Sequence, residues 1–130
     1  MDKAIKKNSF RLALVMMFLA GSAGAQAGLQ DGVAAYKRGN FTVALKELAP
    51  LAGSGNVEAQ LLLGGMYSGG VGGIPQDYAK ATSWYRKAAE QGNAPAQTSL
   101  GVMYEKGIGV MQDDKEAISL YHKAAEQLFA

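Results

Sequence analysis

The stretch Ala59-Gln60-Leu61-Leu62-Leu63-Gly64-Gly65-Met66-Tyr67 decides the fold, because 37 residues later it returns as Ala96-Gln97-Thr98-Ser99-Leu100-Gly101-Val102-Met103-Tyr104. Further along the echo continues at a spacing of 36. Gln76-Asp77 returns as Gln112-Asp113, Ala81 as Ala117 and Tyr85 as Tyr121. The block Lys87-Ala88-Ala89-Glu90-Gln91 returns whole as Lys123-Ala124-Ala125-Glu126-Gln127. One extra residue in the first copy, most simply Gly73, absorbs the slip, and without it residues 57–91 and 94–127 agree at 18 of 34 positions. So dense a match marks a duplicated structural unit. A period of this length marks units that stack, since a single hairpin cannot bury its apolar face alone.

Each unit reads as two helices around a glycine-rich turn. In the first, Asn56 is placed to cap a helix over 57–68, with Glu58 in the first turn where a carboxylate complements the helix dipole. Ala59, Leu63 and Tyr67 share one face of it, and Gly64 leaves room for a neighbouring helix to come close. After the turn 69–75, Asp77 caps a second helix that runs to Gln91. Its inward stripe is Ala81, Tyr85 and Ala88 with Trp84 alongside, and Gly92 supplies a left-handed cap. The second unit repeats the plan: Asn93 caps, Pro95 sits in the first turn, and Ala96, Leu100, Gly101 and Tyr104 face inward. Asp113 with Glu116 reads as a capping box, and Ala117, Tyr121 and Ala124 complete the stripe.

Upstream, 29–38 and 41–52 read as a degenerate third hairpin, because Ala44 precedes Ala81 by 37 and Gly55-Asn56 precedes Gly92-Asn93 by 37. Pro50 is expected to loosen or kink its last turn. No alternating strand pattern occurs. The expected architecture is an all-α solenoid of about three antiparallel hairpins: 29–56, 57–93 and 94–130.

Leu63-Gly64-x-x-Tyr67 and Leu100-Gly101-x-x-Tyr104 carry the L-G-x-x-Y signature of tetratricopeptide-type helices. The longer period, the loops Gly70-Val71-Gly72 and Gly107-Ile108-Gly109, and Trp84-Tyr85-x-Lys87-Ala88-Ala89-Glu90-Gln91-Gly92 narrow this. Over 57–127 the chain resembles the Sel-one-like repeat family, a tetratricopeptide relative; over 29–56 the likeness is weak. The resemblance implies an α-solenoid that acts as a scaffold or adaptor for other proteins, with secreted bacterial members working in the cell envelope. Three departures bear on the last helix: Leu120 replaces the motif's Trp, Leu128 its Gly, and no end cap follows.

Residues 1–25 have the three parts of a secretory signal peptide. Lys3, Lys6, Lys7 and Arg11 give a positive start, residues 12–20 an apolar run, and Ala23-Gly24-Ala25 a small-x-small cleavage site, with Ala27 as the alternative end. Nine apolar residues fall short of the roughly 20 that cross a bilayer. The expectation is therefore a periplasmic or secreted protein with no stable membrane insertion after cleavage. Of thirteen basic and eleven acidic residues, four and one precede residue 12, so the remainder carries nine against ten, net −1. That balance gives no basic stripe for nucleic acid. Cysteine is absent, which excludes disulfides and thiolate chemistry.

No constellation for catalysis emerges. The G-x-G loops follow helices rather than a strand and lack the Lys-Ser/Thr of a phosphate loop. They read as turn glycines. His122, the single histidine, takes the place of Arg86 in the other copy, on a solvated face. It has no partners at metal-ligand spacing and no nucleophile to serve. Asp113, Asp114 and Glu116 are explained by capping. The expectation is a non-enzymatic protein with no cofactor or metal, built to bind another protein. Opposite the inward stripe lie Leu61, Gly65 and Ser68 in one unit and Thr98, Val102 and Glu105 in the next. These differ between copies where the packing positions agree, as a partner-binding face would. A homodimer through the apolar end Leu128-Phe129-Ala130 is a second expected mode. The alternative, from another class, is a peptidoglycan- or carbohydrate-binding accessory protein of an envelope enzyme.

Overall fold

The computed structural model describes residues 24–129, so the leader, apart from its last residues, lies outside it. A helix whose described part covers 24–37 (α1) is followed by α2 (Phe41–Gly53), α3 (Val57–Gly69), α4 (Tyr78–Glu90), α5 (Ala94–Lys106) and α6 (Asp114–Glu126), and a 3-10 turn over Gln127–Phe129. The described residues contain no strand. α1/α2, α3/α4 and α5/α6 are the three hairpins, and from α2 onward each helix packs chiefly on its neighbours in the chain. The first helix starts upstream of the expected Leu29, and α2 runs through Pro50 to Gly53 without being cut short.

Asn and Asp start these helices because a short side-chain oxygen can reach the free N–H groups of the first turn. Asn56 and Asn93 accept from Ala59 and Ala96 N–H, both at 2.9 Å, and Asp77 accepts from Lys80 N–H at 3.0 Å. Asp113 accepts from both Lys115 and Glu116 N–H. The expected capping box is only half formed, however. The Asp113 N–H donates instead to the Tyr104 carbonyl at 2.9 Å, as Asp77 does to Tyr67 at 2.8 Å, and these bonds close the two glycine loops. The loop after α3 is one residue longer than that after α5, so the register slip falls within that loop. Gly92 has φ +89, the left-handed residue expected after α4.

The core forms at the interfaces between helices, in two clusters. Ala35, Ala44, Leu48, Ala59, Leu63 and Met66 anchor the first, and Ala81, Tyr85, Ala88, Ala96, Leu100 and Met103 the second. Leu120 is buried in the second cluster, so the departure from Trp does not loosen α6. Trp84 itself is half-buried, with the Lys87 ammonium 4.6 Å from its ring centroid. Tyr67, Tyr104 and Tyr121 are half-buried too, since a phenol needs its hydroxyl in reach of a polar partner.

Two repeated devices join one hairpin to the next. The buried Gln60 donates to the Ala52 carbonyl at the end of α2, at 3.0 Å, and Gln97 to the Ala89 carbonyl at the end of α4, at 3.2 Å. Gln91 then donates to Gln60 Oε1 and Gln127 to Gln97 Oε1, both at 2.9 Å. The second device is the G-x-G loop. A β-carbon on Gly72 would press on Phe41, and one on Gly109 on the Tyr78 carbonyl and Thr82, in each case at the start of the preceding hairpin's second helix. These glycines are thus required by close approach as well as by turn geometry.

Candidate functional site

The first helix of each hairpin carries two rows of side chains. The buried row holds Ala59, Leu63, Gly64 and Met66 in α3 and Ala96, Leu100, Gly101 and Met103 in α5. Beside it runs the row singled out from the sequence, Leu61, Gly65 and Ser68 with Thr98, Val102 and Glu105.

The structure adds this row's members in α1. The turn between α1 and α2 is short, so the equivalence runs through the helix ends, 37 against Gly69, an offset of 32. Gly32 then matches Gly64 and Gly101, and the packing agrees. A β-carbon on Gly32 would lie 2.6 Å from Leu48, just as one on Gly64 would lie 2.6 Å from Tyr85 and one on Gly101 2.6 Å from Tyr121. Leu48, Tyr85 and Tyr121 occupy one position of the repeat. By the same offset Leu29, Val33 and Tyr36 are the α1 counterparts of Leu61, Gly65 and Ser68. Sequence reading missed them, although the alignment of Leu48 with Tyr85 was a usable signal once the shorter turn was allowed for.

Two hollows open along this row. Leu29 and Val33 line one of about 580 Å³, together with Gln26, Gln30, Lys37 and Glu58. Ser68, Thr98 and Val102 line another of about 250 Å³, with Tyr78, Tyr85, Ser99, Met103 and Ile108. Gly65 lines neither hollow; a β-carbon there would be 3.8 Å from the oxygen of Tyr85, which lines the second, and 3.9 Å from that of Tyr36. The structure therefore gathers Ser68, Thr98 and Val102 around one hollow, with Gly65 beside the hydroxyl of Tyr85. Leu61 is half-buried against the second core cluster, where the second and third hairpins meet. Glu105 stands apart, its carboxylate accepting from the Tyr121 hydroxyl at 2.7 Å in a separate hollow with Asp114 and Ile118.

None of the residues lining the 250 Å³ hollow is charged. Burial pushes the Tyr85 hydroxyl above the ordinary 10.0; a hydrogen bond with Ser99 opposes this, and Tyr36 adds to it. The Thr98 hydroxyl donates to the Ala94 carbonyl and the Tyr78 oxygen accepts from Gln76, leaving the Tyr78 proton free to reach a ligand. The chemistry on offer is hydroxyls around an apolar floor. His122 is exposed on α6, away from this row. Among the described residues no three His, Cys, Asp or Glu side chains converge as metal ligands would, and no helix is long and apolar enough to cross a membrane.

A family model described as the Sel1 repeat matches residues 57–93 and 94–127. Among solved structures, the chain is similar to a Sel1 repeat protein from Oxalobacter formigenes, with a TM-score of 0.71 and 40% identity over 77% of this chain and 39% of that one. It is also similar to a protective antigen present in uropathogenic Escherichia coli strains displaying an SLR fold, with a TM-score of 0.75 and 33% identity over 84% of this chain and 24% of that one. The chain thus spans well under half the length of either structure. No curated protein matches the sequence. With the matched units covering more than half of the sequence, the chain belongs to the Sel1 repeat family and folds as an α-helical repeat solenoid.

Proposed function

We propose that this chain is an exported, non-enzymatic adaptor that holds another protein on the outward row of its first helices, α1, α3 and α5. The observation that carries the reading is the division of labour along each helix. Positions that pack against the next helix repeat between units, whereas Leu61/Thr98, Gly65/Val102 and Ser68/Glu105 do not, and members of this varied row, with their α1 counterparts Leu29 and Val33, line two of the hollows. Export is supported by the basic, apolar and small-residue succession of 1–25. Cleavage after Ala25 or Ala27 leaves Leu29 and Val33 in place, and an outward location fits the similar Escherichia coli protein's role as a protective antigen. The cell envelope is the expected place of work.

Thr98→Arg combined with Val102→Arg tests the reading, since Thr98 is exposed and Val102 half-buried. Helicity and melting are expected to stay near those of the parent while capture of envelope proteins by the tagged chain is lost. Undiminished capture rejects this face. A carbohydrate-binding role has weaker support, because the Tyr85 ring is pressed onto Gly64 and Trp84 lies under Lys87, leaving neither free to stack on a sugar. Self-association through the last hairpin is a further mode: Ile118 is 55%, Leu128 79% and Phe129 89% exposed. Light scattering that stays monomeric at high concentration removes it.

A further inference from the structure

Gln26 holds a place on the processed chain that gives it chemistry the other glutamines lack. Gln60, Gln91, Gln97 and Gln127 commit their amides to the links between hairpins. Gln26 is exposed in the first described turn of α1 and lines the hollow of about 580 Å³. Cleavage after Ala25, the site that Ala23-Gly24-Ala25 marks, makes it the first residue of the mature protein. Its nitrogen is then an amine rather than a peptide N–H. Amine and side-chain carboxamide belong to one residue, and their union closes an unstrained five-membered ring. A reaction within one residue needs no encounter between molecules, which removes most of its entropic barrier. The carboxamide is exposed, so the helices need not unfold to free it.

The helix is the second observation. The first turn of a helix concentrates partial positive charge, and an ammonium placed there is repelled. Closing the ring removes that charge. We propose that Gln26 of the mature chain cyclises to pyroglutamate, a neutral lactam that closes the N-terminus to aminopeptidases and relieves the start of α1 of a like charge. The proposal rests on the export reading and goes beyond it. The uncharged amine attacks Cδ of the side chain. The bond between that nitrogen and Cδ forms, the bond from Cδ to Nε2 breaks, and Nε2 leaves as ammonia with a proton from the attacking nitrogen. Nothing is oxidised or reduced, and no second reactant enters. About a tenth of α-amines are uncharged at pH 7, which is enough to feed a step that runs one way. Glu58, the one carboxylate lining the same hollow, attracts the open ammonium form. Because the ammonia departs, that attraction delays closure without reversing it.

The test uses the full chain with its own leader and a C-terminal tag, recovered from the periplasm of a Gram-negative host. Intact-mass spectrometry is expected to give residues 26–130 with the tag, less one ammonia. Edman degradation is expected to yield nothing until a pyroglutamyl peptidase has acted, and then to begin at Ala27. A full mass with Edman degradation beginning at Gln26 overturns the proposal and leaves export standing, as does a chain that begins at Gly28. A chain that keeps residues 1–25 overturns both. Gln26→Met keeps the length and helix propensity of the side chain but closes no ring. It is expected to be trimmed by an aminopeptidase that spares the parent, and to melt at a lower temperature. Equal trimming of the two overturns the closed N-terminus, and a variant that melts as high as the parent overturns the effect on α1.

Discussion

The ring of Tyr85 fills the space that a β-carbon at residue 64 would need, its Cδ1 and Cε1 atoms lying 2.6 Å from where that carbon would stand. Tyr121 stands in the same way over Gly101 and Leu48 over Gly32, so one contact between a small residue and a large one sets the spacing within all three hairpins. Gly64→Ala is therefore expected to lower stability by about 1–3 kcal/mol through overpacking, despite the gain in helix propensity. Gly65→Ala, one residue along, meets nothing closer than 3.8 Å and is expected to raise stability by up to about 1 kcal/mol. Urea denaturation of the two variants checks the contrast; effects of the same sign would contradict it.

The glutamine pairs predict how the hairpins come apart. Gln60 joins Ala52 in one hairpin to Gln91 in its own, and loses both bonds in Gln60→Ala. The Gln91 amide keeps only its bond to the Gly55 carbonyl. A loss of roughly 1–3 kcal/mol is expected for such a buried polar link. Hydrogen exchange should quicken along α2 and the start of α3 more than along α6. Uniform quickening along the whole chain would show that the link does not act locally.

Alkaline pH should weaken the fold. Burial raises the Tyr85 pKa, and the hydrogen bond to Glu105 raises that of Tyr121, both from 10.0. Folding then favours the protonated phenols. Their contribution is complete below pH 10.0 and is lost as pH rises through the higher folded values. Tyr85→Phe with Tyr121→Phe keeps both rings over their glycines and is expected to flatten the alkaline fall in denaturation midpoint. An unchanged fall would place its cause elsewhere.

The repeat was legible because packing imposes the same residue at the same place twice. Alanines and leucines that face a neighbour, and the Asn and Asp caps, could be read from spacing alone. Half of the Asp113–Glu116 box could not. Whether a backbone N–H turns to a side chain or to the Tyr104 carbonyl depends on how the glycine loop closes, which is a matter of three dimensions. Gln60 and Gln97 were visible as repeated residues, but their meaning lies in carbonyls of the preceding hairpin. The outward row was found in α3 and α5 by helical geometry. Its extension to Leu29 and Val33 was hidden by the shorter first turn, and Leu61 and Glu105 were set apart from it by neighbours that a single helix does not reveal.

The proposed division between a packing row and a binding row is tested most directly by site-specific photo-crosslinking in cells that make the protein, from Val102 on α5 and from His122 on α6. Crosslinks to a second protein from Val102, with none from His122, are the expected result. Crosslinks from His122 alone would mean that the partner sits on the opposite helices and that the outward row is ordinary solvated surface.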